Sequence, residues 1–178
     1  MFSDIPATLH KRLQNITLAV FDVDGILTNG QLLFLPNGQE VKQFNTLDGF
    51  GLKLLMQGGI ETAIITGRSS NQVNLRAKSL GITYLQQGRE DKLTALEELW
   101  QDTSHCAATT AYIGDDLPDL AAIRHCAFGA TVPNGHALVK THADWCSERS
   151  GGEGAAREFC EYILQAQNKL EQLHRRYM

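Results

Sequence analysis

Ile16-Thr17-Leu18-Ala19-Val20-Phe21-Asp22-Val23-Asp24-Gly25 decides the fold. Its apolar front half predicts a strand over 16–22, buried on both faces. The strand runs into two carboxylates at i and i+2, which face the same side of an extended chain. Like charges that close repel each other, so an open site built this way favours a bound cation. A second acidic cluster, Gly114-Asp115-Asp116-Leu117-Pro118-Asp119, follows another apolar segment, Ala111-Tyr112-Ile113. Two carboxylate clusters at strand ends point to magnesium, and magnesium points to phosphate chemistry.

Outward from that strand, strand-like and helix-like segments alternate, which predicts an α/β fold with a doubly wound, mainly parallel sheet. Strands are expected over 60–66, 82–85, 110–113 and 127–130. Helices are expected after Asp48 to near Gly58-Gly59, over 69–80 with Ser69 or Ser70 as N-cap and Gly81 as stop, over 91–100, and over 117–125 with Pro118 in the first turn. A turn at Pro133-Asn134-Gly135 precedes a short helix, and a terminal helix is expected from Ala155 to about Arg176.

One segment interrupts the alternation. Residues 31–35 and 40–44 flank Pro36-Asn37-Gly38-Gln39, a strong turn signal, and predict an inserted β-hairpin over 31–44. Leu32, Leu33, Phe34 and Leu35 are four consecutive apolar residues. A protruding hairpin buries such a run either on its own core or against other copies of the chain, and isolated hairpins are marginal in water.

With 178 residues, 43% of them hydrophobic and 20% charged, the chain fits one soluble globular domain spanning 1–178. A net charge of −4 argues against a broad nucleic-acid surface but leaves local phosphate binding open. Cys106, Cys126, Cys146 and Cys160 show no metal-ligand spacing and read as reduced thiols. No stretch approaches a membrane span, so no membrane partner is expected. Met1 to Gln14 lacks the apolar core of a secretory signal, so a cytoplasmic location is expected. The six histidines are scattered, and none is assigned to catalysis.

Four pieces fall in order at expected strand ends or first helical turns: Asp22-x-Asp24-Gly25-x-x-Thr28, Ile65-Thr66-Gly67-Arg68, Lys92, and Gly114-Asp115-Asp116-x-x-Asp119. In an open parallel sheet the carboxyl ends of the strands line the ligand crevice, so distant segments can converge there. As an ordered set from about Ile16 to Ala130 they resemble the haloacid dehalogenase-like superfamily. The resemblance implies a Rossmann-like fold and a Mg2+ cofactor. It makes Asp22 the nucleophile that takes the phosphoryl group and Asp24 the acid that protonates the leaving oxygen, then the base that activates water. It makes Asp22, Asp115 and the backbone carbonyl of Asp24 metal ligands, and Thr66 and Lys92 stabilisers of phosphoryl charge. Asp119 would hold a metal-bound water or orient Lys92, and Asp116 would either cap a helix or serve the metal.

Asp24 supplies a leaving-group acid that dehalogenation does not need, so phosphate-ester hydrolysis fits better. The chain has no room for a large cap domain, and a capless site stands open to water unless another chain covers it. Capless chains with Asn45-Thr46-Leu47-Asp48-Gly49 after a hairpin and Gly151-Gly152-x-Gly154-Ala155-x-Arg157-Glu158 near the end resemble the 3-deoxy-D-manno-octulosonate 8-phosphate (KDO 8-phosphate) phosphatases. Their substrate is a phosphorylated sugar acid destined for lipopolysaccharide, and they typically form homotetramers. Neuraminate-type 9-phosphate phosphatases share much of the pattern. The resemblance implies substrate contacts from Asn45, Thr46, Leu47, Asp48 and Gly49, and from Arg68 and Arg76 to the substrate carboxylate. It also implies a flexible Gly-rich tail over 151–178 that closes a neighbouring site, with Arg157 reaching substrate. For Asp48 and Arg76 the bland readings, helix capping and a surface charge, stay open. Outside enzymes, a phospho-acceptor switch would use similar residues in a different order, and a scaffolding relative would not need them intact.

Overall fold

The structure is a computed structural model that describes residues 5–178. Of the N-terminal stretch, residues 1–4 lie outside the described residues. In chain order the elements are α1 (Ala7–Leu13), β1 (Leu18–Phe21), β2 (Leu33–Phe34), β3 (Glu40–Val41), α2 (Thr46–Gln57), β4 (Glu61–Thr66), α3 (Asn71–Leu80), β5 (Tyr84–Gln87), α4 (Lys92–Gln101), β6 (Thr110–Ile113), α5 (Leu117–His125), β7 (Phe128–Thr131), α6 (Ala137–His142), β8 (Trp145–Cys146), α7 (Ala155–Ala166) and α8 (Leu170–His174). The expected α/β architecture is present. A six-stranded sheet runs β5-β4-β1-β6-β7-β8 with every pairing parallel. The chain winds outward through β4 and β5 on one side of β1, then through β6, β7 and β8 on the other. The strand order therefore reverses beside β1, where open α/β sheets bind ligands.

Both sheet faces are covered, which explains why β1 is apolar without alternation. Ala19 and Phe21 pack into one core with α1, α2, α3 and α7. Leu18 and Val20 pack into the other with α4, α5 and α6. Phe159 of α7 anchors the first core, edge-on to Phe21 at 5.4 Å and stacked on Phe128 at 5.5 Å. Burying aromatic side chains of this size supplies a large share of hydrophobic stabilisation, about 1.5–3 kcal/mol each.

Some boundaries differ from expectation. α2 starts at Thr46 rather than after Asp48, because Asn45 is the N-cap and its side chain accepts the Leu47 N–H. α1 and the edge strand β8 were not anticipated. The terminal helix is not continuous: α7 ends at Ala166, and Asn168 takes φ 56 before α8 begins. Asparagine tolerates this left-handed conformation, so the break occurs at a residue suited to it.

The hairpin is present as the two-stranded β2–β3 pair, shorter than its apolar run suggested. Leu32, Leu33, Phe34 and Leu35 are 43–59% exposed, so this chain's own core does not bury them.

The Gly-rich stretch expected as a flexible tail makes contacts within its own chain. The Gly152 N–H donates to the Ile26 carbonyl at 2.8 Å, and the Asn45 side chain donates to the Gly152 carbonyl at 3.0 Å. A Cβ on Gly151 would stand 1.6 Å from the Gly25 carbonyl oxygen, so only glycine permits this approach. The Gly-rich stretch lies on the loop after β1 of its own chain, and α7 is held in the core behind it.

Candidate active site

Register sets the site. Phe21 of β1 lies opposite Ile64 of β4 and Ile113 of β6, so Asp22, Thr66 and the Gly114-Asp115 turn emerge at the same edge of the sheet. The Asp22 N–H donates to the Ile113 carbonyl at 3.1 Å, which extends the pairing to Asp22 itself. Carboxylate oxygens of Asp22, Asp115 and Asp119 lie within 4.8 Å of one another. The acidic clusters from two distant segments therefore meet.

Lys92, at the start of α4, reaches into this cluster. Its ammonium donates to Asp22 Oδ1 at 2.6 Å, to Asp119 Oδ1 at 3.0 Å and to the Ile65 carbonyl at 3.2 Å. Three acceptors satisfy a side chain that is 4% exposed. Asp119 is fully engaged: the Tyr112 hydroxyl donates to Oδ1 at 2.8 Å, and the N–H groups of Asp115 and Asp116 donate to Oδ2 at 3.2 and 3.3 Å. Of its two expected jobs, orienting Lys92 is the one its bonds perform. Asp116 caps α5, with Oδ1 accepting the Leu117 N–H at 2.8 Å. Tyr112 was missed in the sequence, where it read only as strand core.

Electrostatics fit a cation. Burial, then the Asp119 charge, raises Asp22 to about 7 against the opposing pull of Lys92. Burial, then Asp119 and Asp116, raises Asp115 to about 7. Burial pulls the Lys92 ammonium down, but Asp22 and Asp119 outweigh it and hold the group above its ordinary value. One lysine does not compensate three clustered carboxylates, and a divalent ion would. Gly25 adds a steric argument. It sits at φ +96, and a Cβ there would fall 2.0 Å from Asp115 Oδ2. Glycine thus lets the Asp115 carboxylate come against the Asp24-Gly25 backbone, where the expected carbonyl ligand lies. Donor set and cradle both suit magnesium.

Thr66 and Arg68 stand beside this centre, whereas Asn45, Thr46 and Leu47 line hollows to which its carboxylates do not contribute. Thr66 ends β4 and is buried. Arg68 is half exposed, paired with Glu40 of the hairpin, with its Nε 3.8 Å from Asp24 Oδ2. Asn45 and Thr46 line a cavity of about 320 Å³ with Asn29, Gln43, Phe44 and Gly152. Leu47 lines a separate hollow with Arg149 and Arg157.

Asp48, Gly49, Arg76 and Arg157, all expected near substrate, also make structural contacts within the chain. Asp48 is 1% exposed, and its carboxylate accepts the Gly154 and Arg157 N–H groups. Arg76 donates to the Asn45 carbonyl at 2.9 Å and lies over the Phe44 ring at 5.7 Å, so it braces the cavity wall. Gly49 makes room for it, since a Cβ there would meet Arg76 Nη2 at 2.2 Å. Arg157 pairs with Glu161 at 2.5 Å and lies over Phe50 at 5.0 Å. Lys42 and Glu40, absent from the sequence reading, join the site through the hairpin. Their i and i+2 spacing at the start of the segment expected as a strand, 40–44, was the available signal.

A family profile described as haloacid dehalogenase-like hydrolase matches residues 85–159. The chain is 37% identical over 171 residues to 3-deoxy-D-manno-octulosonate 8-phosphate phosphatase KdsC of Escherichia coli, covering 96% of this chain and 91% of that relative. The chain belongs to the KdsC family of haloacid dehalogenase-like hydrolases. A family member from Moraxella catarrhalis, solved in complex with magnesium, phosphate and KDO, superposes with a TM-score of 0.95 at 45% identity, covering 98% of this chain and all of that one. The cobalt-bound phosphatase of Haemophilus influenzae superposes with a TM-score of 0.86 at 40% identity, over 89% of this chain and 93% of that one. No large cap domain is evident among the described residues, where the short hairpin is the insertion after β1.

Proposed function

We infer that this chain is a magnesium-dependent phosphatase that hydrolyses 3-deoxy-D-manno-octulosonate 8-phosphate to KDO and phosphate, supplying lipopolysaccharide synthesis. The observation that carries this reading is the meeting of Asp22, Lys92 and Asp115 where the strand order reverses, in a chain that matches KdsC along nearly its whole length.

The residues divide the work. An oxygen of Asp22 attacks phosphorus; as the new P–O bond forms, the bond to the sugar oxygen breaks. Asp24 gives its proton to that leaving oxygen, which releases the sugar acid as an alcohol. A water molecule then passes a proton to Asp24 and attacks the aspartyl phosphate, which frees phosphate and restores the Asp22 carboxylate. Lys92 offsets the negative charge of Asp22 and phosphate throughout, and the Thr66 hydroxyl donates to a phosphoryl oxygen. Magnesium, held by Asp22, Asp115 and the Asp24 carbonyl, would neutralise charge on the phosphoryl oxygens. The polar cavity along Asn45 and Thr46 suits the sugar hydroxyls, and Arg68 suits the carboxylate.

The exposed leucines and phenylalanine of the hairpin support a homotetramer in which other copies cover them. The cytoplasm is the proposed location. Two free cysteines are exposed, which suits a reducing compartment. Phosphate release from a panel of phosphorylated sugars, with magnesium, tests the reading. Preference for the eight-carbon sugar acid is expected. Preference for a nine-carbon one, or no release from either, overturns it.

A further inference from the structure

Lys42 has no role in the scheme above, yet its placement is unusual. It follows β3 on the protruding hairpin, and its side chain is only 3% exposed. Its ammonium donates to Asp24 Oδ1 at 2.5 Å and stands 3.1 Å from Glu40 Oε1. The Thr28 hydroxyl donates to the same Asp24 Oδ1 at 3.4 Å. Asp24 Oδ2, in contrast, is buried with no hydrogen-bond partner; its nearest recorded cation is Arg68 Nε at 3.8 Å. The two oxygens of one carboxylate are thus made unequal: Oδ1 is anchored and Oδ2 is open.

Glu40 carries the arrangement outward. It pairs with both Lys42 and Arg68, and these cations hold its carboxyl below the usual range although burial opposes them. Its backbone carbonyl accepts from Gln72 Nε2 of α3 at 2.9 Å. The hairpin is therefore fastened to α3 independently of Lys42. A buried ammonium is costly unless paired, and an apolar side chain would cover the hairpin base more cheaply.

We propose that Lys42 is a positioning residue for phosphoryl transfer. By holding Oδ1 it fixes the rotamer of Asp24 and leaves Oδ2 as the oxygen that exchanges the proton. The proton leaves Oδ2 for the sugar oxygen as the P–O bond breaks, and Oδ2 takes one back from the attacking water. Lys42 touches neither substrate nor phosphorus in this scheme. The role rests on the phosphatase reading with Asp24 as acid and base.

Lys42→Met tests it, with kcat/KM measured on KDO 8-phosphate and on p-nitrophenyl phosphate. The aryl leaving group departs without a proton, whereas the sugar alkoxide needs one. We expect kcat/KM to fall about 100-fold on the sugar ester and less than about threefold on the aryl ester, the pattern of a misplaced general acid. Lys42→Arg recovers part of the loss. Magnesium affinity, read by calorimetry, stays at the wild-type value, because the Asp24 carbonyl does not depend on its side chain. Lys42→Gln replaces the Met variant if that one does not fold. In an Arg68→Gln background the loss persists, which separates Lys42 from an effect through Glu40 and Arg68. Equal losses on both esters, an unchanged rate on the sugar ester, or a loss that vanishes in the Arg68→Gln background overturns the proposal. A wild type that releases no phosphate from KDO 8-phosphate overturns the reading beneath it, and the positioning role with it.

Discussion

Asp48 Oδ1 accepts the backbone N–H of Arg157 at 3.0 Å across 109 residues of sequence. Oδ2 accepts the N–H of Gly154 at 3.3 Å. A carboxylate in the first turn of α2 therefore caps α7, whose own N-cap, Gly154, has no side chain to do so. The Gly154 bond also ties the end of the Gly-rich stretch to α2. Burial raises the Asp48 carboxyl although these N–H groups oppose the shift.

Removing this cap leaves two amides without their acceptor. Asp48→Ala is expected to cost about 1–3 kcal/mol for each amide left buried and unsatisfied, read from the urea midpoint. Limited proteolysis within 151–154 should accelerate in the variant. An unchanged midpoint with unchanged proteolysis would mean that α7 needs no cap from α2.

Asp22→Asn is expected to abolish turnover, since an amide oxygen is a poor nucleophile. Asp24→Asn is expected to keep magnesium binding and lose most activity, about 100-fold or more. Rapid-quench labelling with a 32P-phosphorylated substrate should trap an acid-stable, base-labile adduct in the wild type and none in Asp22→Asn. Near-normal turnover by Asp22→Asn would replace the covalent route with direct attack by water.

Without metal, the site should make stability fall as pH rises. Asp22 and Asp115 are each raised from 3.8 to about 7, so the folded chain holds their protons more tightly than the unfolded chain does. That stabilisation is complete below 3.8 and is lost as pH climbs through about 7. The melting temperature of the chelator-treated protein should therefore carry a downward contribution from about pH 4 to about 7 and level off above that. Added magnesium should raise it more at the upper end than at the lower. A magnesium increment independent of pH would remove the carboxylate cluster as the binding site.

Leu33 and Phe34 are 59% and 56% exposed on the hairpin. The double variant Leu33→Asp, Phe34→Asp is expected to elute as a smaller species than the wild type in size-exclusion chromatography with light scattering. An identical mass for the two would free the hairpin from any role in assembly.

Much of this molecule is legible in sequence because its strands are buried on both faces. β1, β4 and β6 are short apolar runs that end in chemistry-bearing residues, and a parallel register then brings Asp22, Thr66 and Asp115 to one edge. Other features depend on contacts that no local pattern announces. Asp48 looks like a first-turn acid, and only packing of α2 on α7 turns it into a cap for a remote helix. Arg76 looks like a surface charge, but Gly49 opens a space that draws it to the Asn45 carbonyl. The break at Asn168 was hidden because apolar spacing continues on both sides of it. Lys42 was hidden for the opposite reason: charged residues on an exposed hairpin usually face water, and this one turns inward to Asp24.

The Asp22 amide bonded to the Ile113 carbonyl locks Asp22 and the turn bearing Asp115 into adjoining strands of one sheet. No hinge lies between them, so their spacing is inherited from backbone pairing and is indifferent to the side chains around it. Novelty in what such a catalyst accepts must then be written at its margins, in the hairpin, the start of α2 and the glycine stretch, while the reacting centre stays constant.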